Sequence, residues 1–364
     1  MRGDKLILAI VCILGWLGNL NAQVTVTNSN NAAFLASKLI GPGVDVSNAT
    51  MLCNSNQSGF FISPSSLLNM DSGIVLTTGL ASTNSPFNGV NGQEINFANQ
   101  NQGTAGDPDL TALASISTYD RCILEFDFKG DGDTIYFEYK FGSEEYPAFN
   151  CTNYNDVFGF FISGPGITGS QNLALIPGTS IPVAINSVNN GVVVAGGNIS
   201  NCTSMGAGSP FTSLYLDNTG GADLTYTGFT KTFKAKSFIQ ACSTYHIKLA
   251  IADGFDQIFD SGVFLKAGSF KSNTYHLSFS TDSMSSNPPY VIEGCDSIVL
   301  KIKRDNFQTA VTQDTVTLQV AGTATNGVDY TSVVPNYVFT TSLNDSVKTI
   351  YIDPFNDLIT EGTE

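Results

Sequence analysis

Hydrophobic and polar residues alternate with period two along much of the chain. Within residues 133–141, Ile135, Phe137, Tyr139 and Phe141 fall on one face, while Glu138 and Lys140 fall on the other. That is the pattern of a strand with one face buried. Residues 246–252 repeat it, with Ile247, Leu249 and Ile251 on the buried side, and 263–265 predict a neighbouring strand. Residues 156–163 are apolar almost throughout, as in a strand covered on both faces. Helical periodicity is confined to two short stretches, 31–39 and 109–116. Many short strands joined by Gly, Pro and Asn turns predict an all-β chain built on a jelly-roll-like β-sandwich.

The texture changes around 268–290, where Ser and Asn cluster and Asn287-Pro288-Pro289 breaks any regular element. Further strand patterns follow at 297–304, 315–320, 337–340 and 346–352, predicting a second, smaller β-sandwich. Four or five strands leave unpaired edges, so that sandwich is expected to continue past Glu364. At the other end, Arg2 and Lys5 precede an apolar run from Leu6 to Leu17, and small Ala22 closes the segment. A run this short falls below the ~30 Å of a bilayer core, so 1–22 read as a cleavable export signal. The competing reading is a buried N-terminal helix or strand. Cys12 lies inside the apolar run, which argues against lipoprotein processing. The expected organisation is 1–22 signal peptide, 23–270 first β domain and 271–364 second β domain.

Composition sharpens this picture. Charged residues make up only 13% of the chain, against about 25% in an average domain. Gly, Asn, Ser and Thr fill the gap, and with 25 Phe and 13 Tyr they suit short strands and frequent turns. A net charge of −15 would repel phosphate and argues against nucleic acid as a partner. No later stretch reaches membrane-spanning length, so no transmembrane segment is expected in the processed chain. Six cysteines remain after cleavage: Cys53, Cys122, Cys151, Cys202, Cys242 and Cys295. None forms a CxxC pair, which disfavours zinc ribbons and thioredoxin-like sites. In an oxidising compartment they predict disulfides, with the connectivity left open. The sequons at Asn48 and Asn198 are expected by chance in so Asn- and Thr-rich a chain.

Candidate chemistry lies in acidic turns. Glu144 and Glu145 end one predicted strand, Asn155 and Asp156 open another, and Asp253, Asp256 and Asp260 lie after a third. Calcium takes six to eight oxygen ligands from carboxylates, amides and carbonyls, and these turns supply that mixture. The same groups can instead hold strand ends by hydrogen-bonding their own turns. A glycosidase would use two carboxyl groups ~5–9 Å apart. Adjacent Glu144 and Glu145 would point to opposite faces of a strand and need partners elsewhere. Each of the two histidines, His246 and His276, follows a Tyr at a strand start, with no nucleophile motif nearby. The Gly-rich stretch 159–169 lacks the Lys-Ser/Thr of a phosphate loop. Phe158, Phe160 and Phe161 read as core. Tyr146 and Tyr154, flanking the acidic turns, are the candidates for stacking on a sugar.

Several segments carry a family resemblance, in order along the chain. They are Thr118-Tyr119-Asp120 leading into 124–128 (LEFDF), 141–147 (FGSEEYP), 155–166 (NDVFGFFISGPG), 172–189, 245–253 (YHIKLAIAD) and 260–264 (DSGVF). Together they resemble the choice-of-anchor L domain of secreted, Bacteroidota-type surface proteins, over roughly residues 30–270. At Thr227-Gly228-Phe229-Thr230 the family usually has an acidic residue before the glycine. A second resemblance, to Calx-beta domains, rests on Val291-Ile292-Glu293-Gly294, on 322–330 (GTATNGVDY), and on Asp357 with 361–364 (EGTE). It implies a β-sandwich whose carboxylates bind calcium at one end, with Glu293, Asp329, Asp357 and Glu361 on the matching positions. Asn356 replaces an acidic residue often found there.

The export signal, the family resemblance, the tandem β domains and the acidic turns together predict a non-enzymatic extracellular or cell-surface module for adhesion or surface architecture, stabilised by Ca2+. Its partner would be a surface glycan or protein, and its anchor would be supplied by a further C-terminal region. The alternative is a carbohydrate-binding or carbohydrate-active secreted protein.

Overall fold

The structure, a computed structural model, describes residues 24–63, 67–82, 101–219, 224–273, 275–281, 297–304, 313–340, 342 and 344–356. The predicted signal segment, Glu293, Cys295, Asp357 and Glu361 lie outside the described residues. In chain order the strands begin β1 (Thr25–Asn28), β2 (Val44–Leu52), β3 (Ser58–Ile62) and β4 (Ser72–Thr77). Next come β5 (Thr118–Gly130), β6 (Thr134–Ser143), β7 (Val157–Ser163) and β8 (Gln171–Asn172). Then follow β9 (Tyr215–Asp217), β10 (Gly228–Thr230), β11 (Phe233–Phe238), β12 (Thr244–Gly254), β13 (Ser261–Lys266) and β14 (Lys271–Ser272).

These strands form two antiparallel sheets. One runs β1-β3-β4-β13-β6-β10-β9, with β11 and β14 also paired to β6; the other runs β2-β5-β12-β7-β8. A single apolar cluster lies between them. Ile135, Phe137, Tyr139 and Phe141 of β6 and Val263 and Leu265 of β13 meet Leu124, Phe126, Phe128, Phe158, Phe160, Ile247, Leu249 and Ile251 of the other sheet. The period-two faces read from the sequence are the inner faces of this all-β sandwich. Ring centroids of Tyr139 and Phe160 sit 4.8 Å apart, edge to face, the geometry aromatic quadrupoles favour.

Among the described residues are three short α-helices. In α1 (Ala32–Leu39) the Asn31 side chain accepts from the Phe34 N–H, and Leu35, Ala36 and Leu39 are buried. In α2 (Pro108–Ala114) Asp107 accepts from the Asp109 and Leu110 N–H groups, with proline in the first turn. Both helices begin where a side-chain oxygen satisfies otherwise orphaned donors. The last, α3 (Ile199–Thr203), is capped by Asn198. Of the open disulfide pairings, the fold makes Cys53–Cys122 and Cys151–Cys202, and Cys242 is an exposed free thiol.

The outer face of the larger sheet departs from the sequence expectation. Lys140 belongs to the polar face of its strand by periodicity, yet it is only 2% exposed. A second apolar cluster, including Phe61, Val75, Tyr226, Phe229 and Phe264, covers that face. The Lys140 ammonium donates to the Leu67 carbonyl, and burial pushes its pKa down to about 8 from 10.5. A depressed lysine pKa penalises the fold below pH 8, and stability recovers as pH rises from 8 to 10.5. Lys140→Met is therefore expected to melt a few degrees higher than wild type at pH 7, with the advantage shrinking across that window. A difference that stays constant from pH 7 to 10.5 would contradict the assignment.

The chain leaves these two sheets between Ser272, paired to β6, and Tyr275. Beyond it, β15 (Tyr275–Thr281), β16 (Ile298–Arg304), β17 (Asp314–Thr317), β18 (Asn336–Phe339) and β19 (Val347–Ile352) complete the described strands. They form the sheets β15-β16-β19 and β17-β18, around Leu300, Ile302, Val333, Phe339 and Ile350.

Candidate functional site

The antiparallel register places four strand ends together. Ser143 at the end of β6 pairs with Ser261 at the start of β13. In the facing sheet, Ala252 near the end of β12 pairs with Val157 at the start of β7. The 144–156 loop thus crosses from one sheet to the other, and 255–260 crosses back at the same end. These two crossings hold all seven sequence-predicted acidic and amide candidates of the first domain, except that Asp253 lies within β12 itself. A register shift between Ile251 and Asp253 interrupts the ladder there, and a bulge of this kind re-aims the side chains beyond it.

Backbone hydrogen bonds hold the first crossing, one of them to the second. The Glu144 N–H donates to the Asp260 carbonyl at 3.1 Å, and the Phe149 N–H donates to the Glu145 carbonyl at 2.9 Å. The Thr227 hydroxyl donates to the Tyr146 carbonyl and lies within reach of the Ser143 and Glu144 carbonyls. The hydroxyl of Thr227 thus seats the turn. The Cys151–Cys202 disulfide ties the middle of the crossing to α3, and the Asn201 amide donates to the Cys151 carbonyl at 3.1 Å.

Each carboxylate has a distinct environment. Glu144 Oε1 accepts from the Thr225 hydroxyl at 2.8 Å. Glu145 is 1% exposed, and neither of its carboxylate oxygens has a hydrogen-bond partner among the described residues. Asp156 is the tie between sheets: Oδ1 accepts from the Gly254 N–H at 2.9 Å and Oδ2 from the Ser261 hydroxyl at 2.6 Å. Asn155 Oδ1 accepts from the Asn186 N–H at 2.9 Å, which fixes the neighbouring loop. Asp253 is fully buried. The Thr78 hydroxyl lies close enough to favour its anion, but outside hydrogen-bonding geometry. Asp256, half-buried, accepts from the Ile258 N–H at 3.2 Å.

These groups act on one another. Burial raises the Glu145 pKa well above the usual glutamate value, and repulsion from Asp156, Asp256 and Glu144 adds to it. Burial likewise raises Asp253, with Asp156, Asp260 and Asp120 contributing. Asp156 is pushed up to about 7 by burial and Asp256, against the lowering effect of its bonds from Ser261 and Gly254. Asp120 was missed as a site residue, although it stands in the Thr118–Asp120 motif. It is buried and accepts from the Gln102 and Thr104 N–H groups at 2.8 Å each.

A partly buried aromatic rim, with Phe255 its exposed member, borders the carboxylates. Phe149 meets Tyr154 at 5.0 Å and Phe259 at 5.2 Å, and Tyr154 meets Phe255 at 5.3 Å. Phe255 is 50% and Ile258 45% exposed. Phe255 and Phe259 hold positive φ of 85° and 62°, a conformation that costs ~1–3 kcal/mol in a non-glycine residue. Of the two predicted stacking tyrosines, Tyr154 belongs to this rim. Tyr146 does not: it is 1% exposed, packed edge-on against Phe141 and Tyr215, because the turn after β6 folds inward.

Residues 23–271 match the choice-of-anchor L domain. The chain belongs to that family. Choice-of-anchor L domains are typical of surface or secreted proteins. No curated protein and no solved structure gives a significant match. The match spans both sheets of the first sandwich, so the carboxylate cluster lies within the matched region. Among the described residues no helix is long and apolar enough to cross a membrane.

Other candidates fall outside this cluster. Asp329, in the second set of strands, accepts from the Thr325 N–H and so closes a local turn. His246 is exposed on β12, with Nδ1 2.8 Å from Asp127. Among the described residues no three Asp, Glu, His or Cys side chains close a ready-made metal chelate.

Proposed function

We propose that the chain is a non-catalytic extracellular or cell-surface module acting in adhesion or surface architecture. Its ligand-facing end would be the one formed by 144–156 and 255–260. Membership of the choice-of-anchor L family supports the surface setting. The carrying observation is the pair Phe255 and Ile258, apolar and about half exposed on a loop that stands beside buried acid. Exposed apolar residues grouped on one rim mark interaction surfaces. The export signal at 1–22 and the Calx-beta-like character of 271–364 belong to the same reading.

Gene deletion followed by complementation tests it. Deletion should reduce attachment to a surface, and the wild-type chain should restore it. The double variant Phe255→Ser/Ile258→Ser should retain the fold yet attach about tenfold more weakly, as expected for two interface anchors. Attachment unchanged by deletion would contradict the proposal.

The exposed ring of Phe255, beside the partly buried ring of Tyr154, supports a second reading, a carbohydrate-binding or carbohydrate-active protein, because such rings stack on sugar faces. A glycan array together with a glycoside-hydrolysis screen addresses it. Silence in both would remove it.

A further inference from the structure

Glu145, Asp156, Asp253 and Asp260 are four acids buried at one end of a sandwich, where ionised carboxylates without a counter-charge cost several kcal/mol each. The groups acting most strongly on Glu145 are carboxylates: Asp156 beside β7, Asp256 from the second crossing and its neighbour Glu144. Those acting on Asp253 are Asp156, Asp260 and Asp120, with the Thr78 hydroxyl. Tyr146 and Tyr226 face the same acids from the first crossing and from the segment before β10. Two chemistries relieve such a cluster: protons, or a cation.

The geometry points to a hard divalent cation of the calcium class, bound between the two loop crossings by Glu145 and Asp253, with Asp156 bridging them. The unpartnered, buried oxygens of Glu145 are the independent mark of a ligand, since buried polar atoms in native proteins are almost always satisfied. Every donor on offer is oxygen, which suits calcium rather than softer metals. Because the described residues close no ready-made chelate, binding draws Glu145 and Asp253 inward, and loop carbonyl and amide oxygens complete the six to eight ligands calcium takes. Protons compete for the same carboxylates, so binding weakens as pH falls. The site does not depend on the chain being an adhesin.

The test is calorimetric titration and thermal melting of the full chain, with calcium chloride or with chelator, at pH 7.5 and pH 5. Calcium at ~100 times its Kd should raise the melting temperature by about 5–10 °C at pH 7.5, and much less at pH 5. Glu145→Gln should abolish the calcium response while melting no lower than wild type in chelator, since an amide replaces a buried charge. Asp329→Asn should leave the response intact. Three results would each overturn the proposal: no heat and no shift at pH 7.5, an undiminished response in Glu145→Gln, or loss of the response in Asp329→Asn instead. Stability that changes with pH but is the same in calcium and in chelator at every pH would overturn the proposal and assign the cluster to protons.

Discussion

Replacing Cys151 and Cys202 together by serine is expected to lower the unfolding free energy by ~2–5 kcal/mol. The bond joins residues 51 apart in sequence, and closing a loop of that length in the unfolded chain corresponds to ~4 kcal/mol in the chain-entropy account. That is a large part of the ~5–15 kcal/mol by which domains are stable. The loss should also be local. Cys151 is fully buried, and its carbonyl accepts from the Asn198 N–H at 2.8 Å as well as from Asn201. Releasing it frees the loop that carries Glu144, Glu145, Asn155 and Asp156. Denaturant unfolding of the double-serine variant beside wild type, both without reductant, checks the magnitude. An unchanged midpoint at unchanged slope would show that backbone hydrogen bonds alone seat the crossing.

In calcium-free buffer, stability is expected to fall as pH rises from about 4 to 7.5. The sign follows from the direction of the shifts. Glu145, Asp253 and Asp156 bind protons more tightly in the folded chain than in the unfolded one. Their stabilising contribution is complete below the unfolded pKa and disappears as pH climbs through the folded value. For Asp156, moved from 3.8 to about 7, the difference corresponds to ~4 kcal/mol. Asp127, whose pKa Asn48 and His246 lower, acts in the opposite sense and loses its contribution as pH falls. It lies near the surface, where solvent screens such pairs, so the buried acids set the trend. Chemical denaturation at several pH values with chelator present measures it. Glu145→Gln and Asp253→Asn should each flatten the slope, and stability rising between pH 5 and 7.5 would contradict the cluster's electrostatics.

What could be read in advance was what is local in the chain. The inward faces of β6 and β12 follow from alternation within a single strand, so Ile135 to Phe141 and Ile247 to Ile251 stand where period two puts them. Lys140 shows the limit. Its own strand assigns it to solvent, and it is residues distant in sequence, Leu67 and Phe264, that stand against it. The acidic turns were visible singly, but their meeting depends on β6 pairing with β13 and β12 with β7. That juxtaposition of residues 144 to 260 has no local signature. Adjacent Glu144 and Glu145 would alternate on a strand. They do not, because β6 ends at Ser143 and the turn buries both. The disulfide partners were undetermined for the same non-local reason. Asp120 carried a signal, its place in a family motif, without a neighbouring acid to suggest a role.

The most direct test of the central claim, that the two crossings form one cation site at the buried acid cluster, is terbium luminescence of the full chain at pH 7.5. Tyr146 and Tyr154 lie beside the cluster and can sensitise a lanthanide bound there. The account predicts tyrosine-excited terbium emission that calcium displaces and that Glu145→Gln abolishes. Absence of sensitised emission, or emission unaffected by Glu145→Gln, would contradict it.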